Sequence, residues 1–417
     1  MLSPASADSD TRDRVLAAYR RHLGGGAARL AEFSHAGVEV RSAGAHVWDE
    51  AGERYLECGG YGVFLLGHCH PRVVAAVVEQ VKTRPLATRL LLDPALAGAA
   101  QALARVAPGD LDEVHFAPSG AEAVETALKL ARAHGRRRVV AMDNGYHGKT
   151  LGALSVTGRP VHRDRFEPLL DGVEFVPFGD TDALVAALGP GPEACVILEP
   201  VQAEAGVIVP PSGYLRDVER ACRDHGAFLV VDEIQTGLGR LGAWWGVERE
   251  GVRCDVLLAG KALSGGVVPV SAVLASGATF HPLTRDPAVL GSTFSGAPIA
   301  MAAARAAIEV IEDDGLVPRA EALGVRLRGS VASILEAHCP GLVREVRGEG
   351  LLIGIEWRAD YLAFDFLIEM LDRRVVVAHS MNAPAVTRLT PPAILDDEDV
   401  KWLQDAVAES AQALAGR

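Results

Sequence analysis

A carboxylate and an amine stand directly behind short apolar runs: FLVV leads into Asp232-Glu233, and DVLLAG leads into Lys261. In parallel sheets ligands collect beyond the carboxyl ends of strands, so the first polar residue after such a run is where chemistry is expected. Lysine is rarely buried, which singles out one at a strand mouth. For these two residues alone, an ion pair or a lysine solvated past the sheet edge is the plainer alternative. A third run, EVHFAP, opens into Ser119-Gly120-Ala121-Glu122-Ala123, small residues that start a helix. Unpaired N–H groups and the positive dipole end can hold a phosphate there, while Ser119 with Glu122 also reads as an ordinary capping box. A fourth run, RRVVAMDN, precedes Gly145-Tyr146-His147-Gly148-Lys149-Thr150. Its Gly-Lys-Thr imitates a nucleotide-binding loop, but that loop needs glycine where this chain has Asp143, so the reading fails. Tyr146 offers a flat face for stacking on a heterocycle, or simply a packing ring at a helix start.

The elements that must position these groups are legible from periodicity. From about residue 71, helical patterns such as PRVVAAVVEQVKT and AEAVETALKLARAHG alternate with short, wholly apolar runs such as CVILEP and AFLVVDE. That alternation predicts an α/β fold with a mainly parallel sheet covered on both faces, continuing through DVLLAGK and VPVSAVLAS. Upstream, a helix over residues 11–23 and a flexible Gly24-Gly25-Gly26 precede a hairpin over 38–57 that turns at Asp49-Glu50-Ala51-Gly52. From Pro298 come two long helical patterns, strands LVREVRG and LLIGIEW, a helix near 361–372, a strand VVVAHS and a closing amphipathic helix. The expected division is a small α+β domain built from residues 1–59 and 301–417 around a large domain of 60–300.

Composition narrows the partners. Forty-one basic against fifty-four acidic side chains give a net charge of −13, which disfavours a nucleic-acid or anionic-membrane surface as the main partner. The six cysteines show no CxxC spacing and sit mostly in apolar runs, so they read as reduced and point to the cytoplasm. The N-terminal residues hold no apolar h-region, and no run of apolar residues is long enough to span a bilayer. His68-Cys69-His70 lacks a second ligand pair nearby, so helix-start packing is expected rather than metal.

A phosphate cradle, an aromatic face, a strand-end aspartate and a strand-end lysine are together the parts that hold pyridoxal 5'-phosphate as an electron sink. The blocks SGAEAVETALKLAR, GYHGKTLGALSVTG, LEPVQAEAGVIVPP, VVDEIQTGLGR, AGKALSGG and GSTFSGAP resemble, in order, the motifs of the class III (ornithine and omega-amino) aminotransferases. GGYGVFLLGHCHP, RPLATRLLLDP and RRVVVAHSMNAPAVTRLTPP look most like putrescine aminotransferases. The resemblance implies a fold type I transferase whose site lies between the two domains at a homodimer interface. It implies that Lys261 carries the cofactor as a Schiff base and shuttles a proton, that Asp232 pairs with the pyridine nitrogen and that Gln235 bonds the phenolic oxygen. Tyr146 is implied to stack on the ring with Glu199 near the same face, and His147 to belong to the cofactor site. Ser119, Gly120 and Ala121 are implied to hold the phosphate, completed by Thr293 and Ser292 from a second copy.

The same resemblance makes Glu204 and Arg388 a switch: paired while an amino donor is bound, then parted so that Arg388 clamps the 2-oxoglutarate carboxylate. A surface ion pair is the bland account of Arg388. Lys149 falls where ornithine-type enzymes have an arginine, and a lysine is a poorer fork for a carboxylate. Ala203, Ala205 and Ser295-Gly296-Ala297-Pro298 depart from the family's usual residues and bear on substrate identity. The expected activity is therefore transfer of a terminal amino group from a diamine or omega-amino acid to 2-oxoglutarate. Ornithine is a near alternative donor; decarboxylation, racemisation or epimerisation, biosynthetic amination of an unusual carbonyl, and non-catalytic cofactor binding are the competing readings.

Overall fold

The computed structural model describes residues 9–23, 25–33, 37–284 and 289–416. Three strands come first: β1 (Glu39–Ala43), β2 (His46–Asp49) and β3 (Arg54–Glu57). The β2–β3 turn follows from Asp49, whose carboxylate accepts the Ala51 and Glu53 amides at 3.0 and 2.9 Å and the Tyr55 hydroxyl at 3.0 Å. Upstream, helix Ser9–Ala18 runs on into a π-helical turn, Tyr19–Leu23. The flexible glycine run is a correction: Gly24 lies outside the described residues, but Gly25 and Gly26 open helix Gly25–Phe33. Helical backbone bonds formed downstream outweigh glycine's entropic cost there.

The central sheet has β4 (Glu113–Ala117), β5 (Arg138–Met142), β6 (Val173–Val176), β7 (Ala194–Leu198), β8 (Phe228–Asp232), β9 (Val256–Ala259) and β10 (Ser271–Ala275), in the spatial order β4-β10-β9-β8-β7-β5-β6. β5 to β9 pair in parallel, whereas β10 runs against both β4 and β9. Every residue of β7, β8 and β9 is buried, as expected where both faces are covered. Alternation sorts these residues into two cores. Val196, Leu198, Leu229, Val231 and Leu257 share a core with Tyr214, Leu215 and Val218 of helix Tyr214–His225, while Cys195, Ile197, Val230 and Leu258 pack with helix Gly120–Ala133.

The last strands are β11 (Val343–Glu349), β12 (Leu352–Trp357), β13 (Val375–Val376), β14 (Ala378–Ser380) and β15 (Ala383–Leu389), with helix Asp360–Asp372 between β12 and β13 and helix Asp397–Ala415 closing the described chain. VVVAHS is not one strand. Val375–Val376 joins β3 in parallel, and Ala378–Ser380 joins β15 in a different sheet of order β11-β12-β15-β14. The N-terminal hairpin and the C-terminal strands are thus hydrogen-bonded through β13.

Candidate active site

At the carboxyl edge of the central sheet, β9 ends at Ala259; Gly260 follows, and a Cβ added there would come within 2.7 Å of Ser271 Oγ. The chain then places Lys261 at φ +45°, in the left-handed region that costs a lysine energy and that active sites often retain. Lys261 Nζ donates to Gln235 Oε1. Burial lowers the Lys261 amine to about 8, against the pull of Glu204, Asp232 and Glu199 and with the help of Arg388.

β8 ends at Asp232. Its Oδ1 accepts the Ile234 amide at 3.1 Å, and its Oδ2 lies 2.7 Å from His147 Nδ1, with His147 buried. Burial alone would push the His147 ring down, but the hydrogen bond and charge of Asp232, with Glu199 adding, leave it raised. β7 ends one residue before Glu199, whose Oε1 accepts the Tyr146 amide at 2.9 Å. Burial drives Glu199 up to about 7, reinforced by Asp232 and opposed by His147.

β4 leads to helix Gly120–Ala133, capped by Ser119 Oγ, which accepts the Glu122 amide at 3.3 Å. The expected capping box is only half formed: Glu122 meets the Ser119 hydroxyl at 3.2 Å, not the Ser119 amide. The first amides of this helix have no partner within it. A cavity of about 280 Å³ is lined by Gly120, Ala121, Tyr146, His147, Lys149, Glu199, Asp232, Gln235 and Lys261, near the lower end of the range usual for small-molecule sites. The structure therefore brings these separately predicted residues together, whereas Ser292 and Thr293 are not on this wall. Thr293 is exposed, and its carbonyl accepts from Arg89 Nη2 at 3.0 Å.

Glu204 and Arg388 also meet, as a buried pair at 2.6 Å rather than a surface one. Arg388 sits on β15 opposite Gly354, and Glu204 Oε2 additionally accepts the Met381 amide at 3.0 Å. Burial would raise Glu204, but Arg388, Lys261 and the Met381 amide hold it below the ordinary carboxylate value. Arg388 Nε and Nη2 have no hydrogen-bond partner.

Ser271 and Ile234 also line the cavity and were not among the expected site residues, and Gly148, noted only as part of the run from Gly145 to Thr150, lines it too. Ser271 opens an antiparallel strand, so its amino end shares the edge with the carboxyl ends of β8 and β9; a search confined to carboxyl ends passes over it. The hydrogen bond from His147 to Asp232 was equally hidden, since the two are 85 residues apart. His68 is occupied by packing: its ring stacks on Phe64 at 3.7 Å, and His70 precedes helix Pro71–Thr83.

The donor set fits pyridoxal phosphate. It offers free helix-start amides for a phosphate, an amine at reduced pKa for an aldehyde, and a carboxylate backed by a buried histidine for a pyridinium. His147 Nε2 and Gln235 Nε2 are buried without partners. A family model for aminotransferase class III matches residues 32–410. The chain is similar to the ornithine aminotransferase of Toxoplasma gondii, with 32% identity over 98% of this chain and 96% of that one and a TM-score of 0.89. It is similar to the ornithine δ-aminotransferase of Plasmodium falciparum, with 31% identity over 91% and 94% and a TM-score of 0.80. An engineered thermostable omega transaminase matches with 26% identity over 93% and 96% and a TM-score of 0.85.

Proposed function

The chain belongs to the class III aminotransferases, and from that premise we propose that it moves a terminal amino group from a diamine or omega-amino acid to 2-oxoglutarate by ping-pong turnover. As a transaminase of the ornithine and omega-amino type it uses pyridoxal phosphate. Bound in the cavity, that group supplies an electron sink for the pair left when the C–H bond beside the donor nitrogen breaks.

Lys261 would hold the cofactor through Nζ, and the freed Nζ would carry the proton from the donor carbon. With a pKa of about 8, part of this amine is neutral near pH 7 and able to accept one. Asp232, oriented by His147, would face the ring nitrogen and favour its charged form, and Gln235 would bond the phenolic oxygen. Tyr146 would stack on the ring beside Glu199, while Ser119, Gly120 and Ala121 take the phosphate.

Thr293 and Ser292 of the partner subunit would complete that phosphate site in a homodimer. The apolar strip beside Thr293 supports this reading: Leu90, Leu91 and Leu92 are 93%, 77% and 99% exposed, and Arg89 ties the strip to the Thr293 carbonyl. Monomers rarely leave such a strip in water. The reading also takes residues 60–300 as the large domain and 1–59 with 301–417 as the small one. Six free cysteines favour the cytoplasm, and among the described residues no helix is long and apolar enough to cross a membrane.

The buried Glu204–Arg388 pair carries the proposal. One pocket must accept an amine and afterwards a keto acid, and a guanidinium held by a single hydrogen bond, with two nitrogens unpartnered, is suited to exchange Glu204 for a substrate carboxylate. Lys149 supports a narrower choice of donor, because an ammonium on the cavity wall suits a distal carboxylate better than the second amine of a diamine.

The test is a half-reaction without keto acid, in which putrescine, cadaverine, ornithine, lysine or 4-aminobutyrate is added to cofactor-loaded enzyme and the visible spectrum followed. Conversion to the pyridoxamine form is expected with at least one donor. Failure with all five would overturn the terminal-amine assignment.

A further inference from the structure

β14 and β15 are joined by a two-residue tip, Met381-Asn382, on the strand pair that carries Arg388. Asn382 is 4% exposed, and its backbone amide and both polar atoms of its side chain are engaged. Its backbone amide donates to the Glu204 carbonyl at 2.9 Å. Its side-chain Nδ2 donates to the Asn144 carbonyl at 2.9 Å, and its Oδ1 accepts from His162 Nε2 at 2.9 Å. The tip therefore touches the Glu204 loop with its backbone and the loop leading into Tyr146 with its side chain.

Both loops also carry bonds that do not involve the tip: beside Glu204, Gln202 N–H reaches Ile208 O at 3.1 Å, Ile208 N–H reaches Gln202 O at 3.0 Å, and Gln202 Nε2 reaches the Asp143 carbonyl at 3.0 Å. The Tyr146 loop is held by bonds of its own: Asn144 N–H to Gly158 O at 2.9 Å, Gly145 N–H to Met142 O at 3.1 Å, Tyr146 N–H to Glu199 at 2.9 Å and His147 N–H to Thr157 at 3.1 Å. The tip instead bonds Glu204 through two amides, Met381 and Asn382, and its side-chain anchor to the large sheet's loops is the Asn382 carboxamide. Ser380 Oγ to the Ala203 carbonyl, at 3.5 Å, is at the limit of a hydrogen bond.

We infer that Asn382 is a positioning residue for the Glu204–Arg388 pair. It pins the β14–β15 tip to the already rigid Tyr146 loop, so that Glu204 leaves Arg388 by rotating its side chain on a fixed backbone. Asn382 acts through Glu204 and Arg388 rather than on any substrate atom, and its role concerns the half-reaction in which Arg388 takes the keto-acid carboxylate. This rests on the proposed role of Arg388.

The test measures both half-reactions separately, in single turnover on cofactor-loaded enzyme, for the parent, Asn382→Ala, Asn382→Asp and Arg388→Ala. Aspartate retains the acceptor for His162 but sets a carboxylate against the Asn144 carbonyl. In both Asn382 variants the apparent Kd for 2-oxoglutarate is expected to rise about tenfold, the scale of losing one or two buried hydrogen bonds, with the amine half-reaction and visible spectrum within about twofold of the parent. Equal slowing of both halves, or no change in either, overturns the inference even if Asn382→Ala alone folds poorly, because Asn382→Asp is read independently. If Arg388→Ala impairs keto-acid capture while the Asn382 variants do not, only this inference fails. If Arg388→Ala leaves capture intact, the reading beneath it fails as well.

Discussion

The two halves of the candidate site are built in opposite ways. Around the cofactor face, Lys261, Asp232 and Glu199 stand at the ends of adjacent, wholly buried parallel strands, and His147 is fastened at both its ring and its amide. Around the carboxylate end, Arg388 projects from a different sheet and meets a loop residue, Glu204, through one hydrogen bond, with two nitrogens left over. The first arrangement suits groups that must keep one geometry through every turnover, since a displacement near 1 Å can cost two orders of magnitude in rate. The second suits a group that must change partner. On the proposed roles, rigidity is concentrated where the chemistry is common to all substrates, and the freedom to change partner is confined to the Glu204 and Arg388 side chains.

That contrast can be broken most severely at Lys261. Lys261→Ala is expected to abolish the visible band of the bound cofactor and all turnover; residual turnover would remove the fixed half of the comparison. Asp232→Asn comes next, with an expected loss of about 10²–10³ in both half-reactions alike, as for removal of one preorganised electrostatic group. A loss confined to one half would show that Asp232 is not common machinery. Arg388→Ala should do the reverse, weakening keto-acid capture about a hundredfold while single-turnover amine rates change only a few-fold, the scale of a buried charge-assisted contact.

Smaller effects sharpen the contrast. Lys149→Met should shift the donor preference, measured as a ratio of kcat/KM values, about fivefold toward diamines and away from carboxylate-bearing donors, the scale of an exposed ion pair. An unchanged ratio would mean that Lys149 does not read the far end of the donor. The fixed half also contains Glu233, which burial raises from 4.5 to about 7 despite bonds from Thr236 and the Gly246 and Val247 amides. The folded chain binds this proton more tightly than the unfolded chain, so the contribution is complete below pH 4.5 and is lost as pH rises through about 7. Glu233→Gln should therefore flatten the decline in apo-protein stability between pH 5 and 7.5 in urea titrations. A parallel decline in both proteins would rule this out.

The fixed half was the more legible in the sequence. Lys261 and Asp232 follow runs apolar enough to be recognised as buried strands, and Gly120 opens a helix behind another, so periodicity alone led to three of the site's corners. Glu204 and Arg388 have no such signal, because a loop residue and a strand residue 184 positions apart meet only through tertiary packing, and their pairing came from motif resemblance. Ser271 was missed because direction in the sheet, unlike burial, leaves no mark on a five-residue apolar run. VVVAHS was mistaken for one strand for a similar reason, since nothing in its composition says that the hydrogen-bonding partner changes at Val377. Ser292 and Thr293 stay off the cavity wall of a single chain, and their role depends on a second copy.

That change of partner at Val377 also bears on how the protein is made. β3 pairs with Val375–Val376, roughly 300 residues later in the chain, so a ribosome delivers the N-terminal strands long before their neighbour exists. Folding from the N-terminus as residues emerge, the usual order for a growing chain, cannot complete this sheet, and β3 waits with one edge unpaired until Val375 and Val376 have been synthesised. The last strands therefore act as a closing stitch. A truncation ahead of residue 375 would leave the central sheet's own strands intact and yet leave the beginning of the protein without a partner for β3, exposing the edge that aggregation exploits.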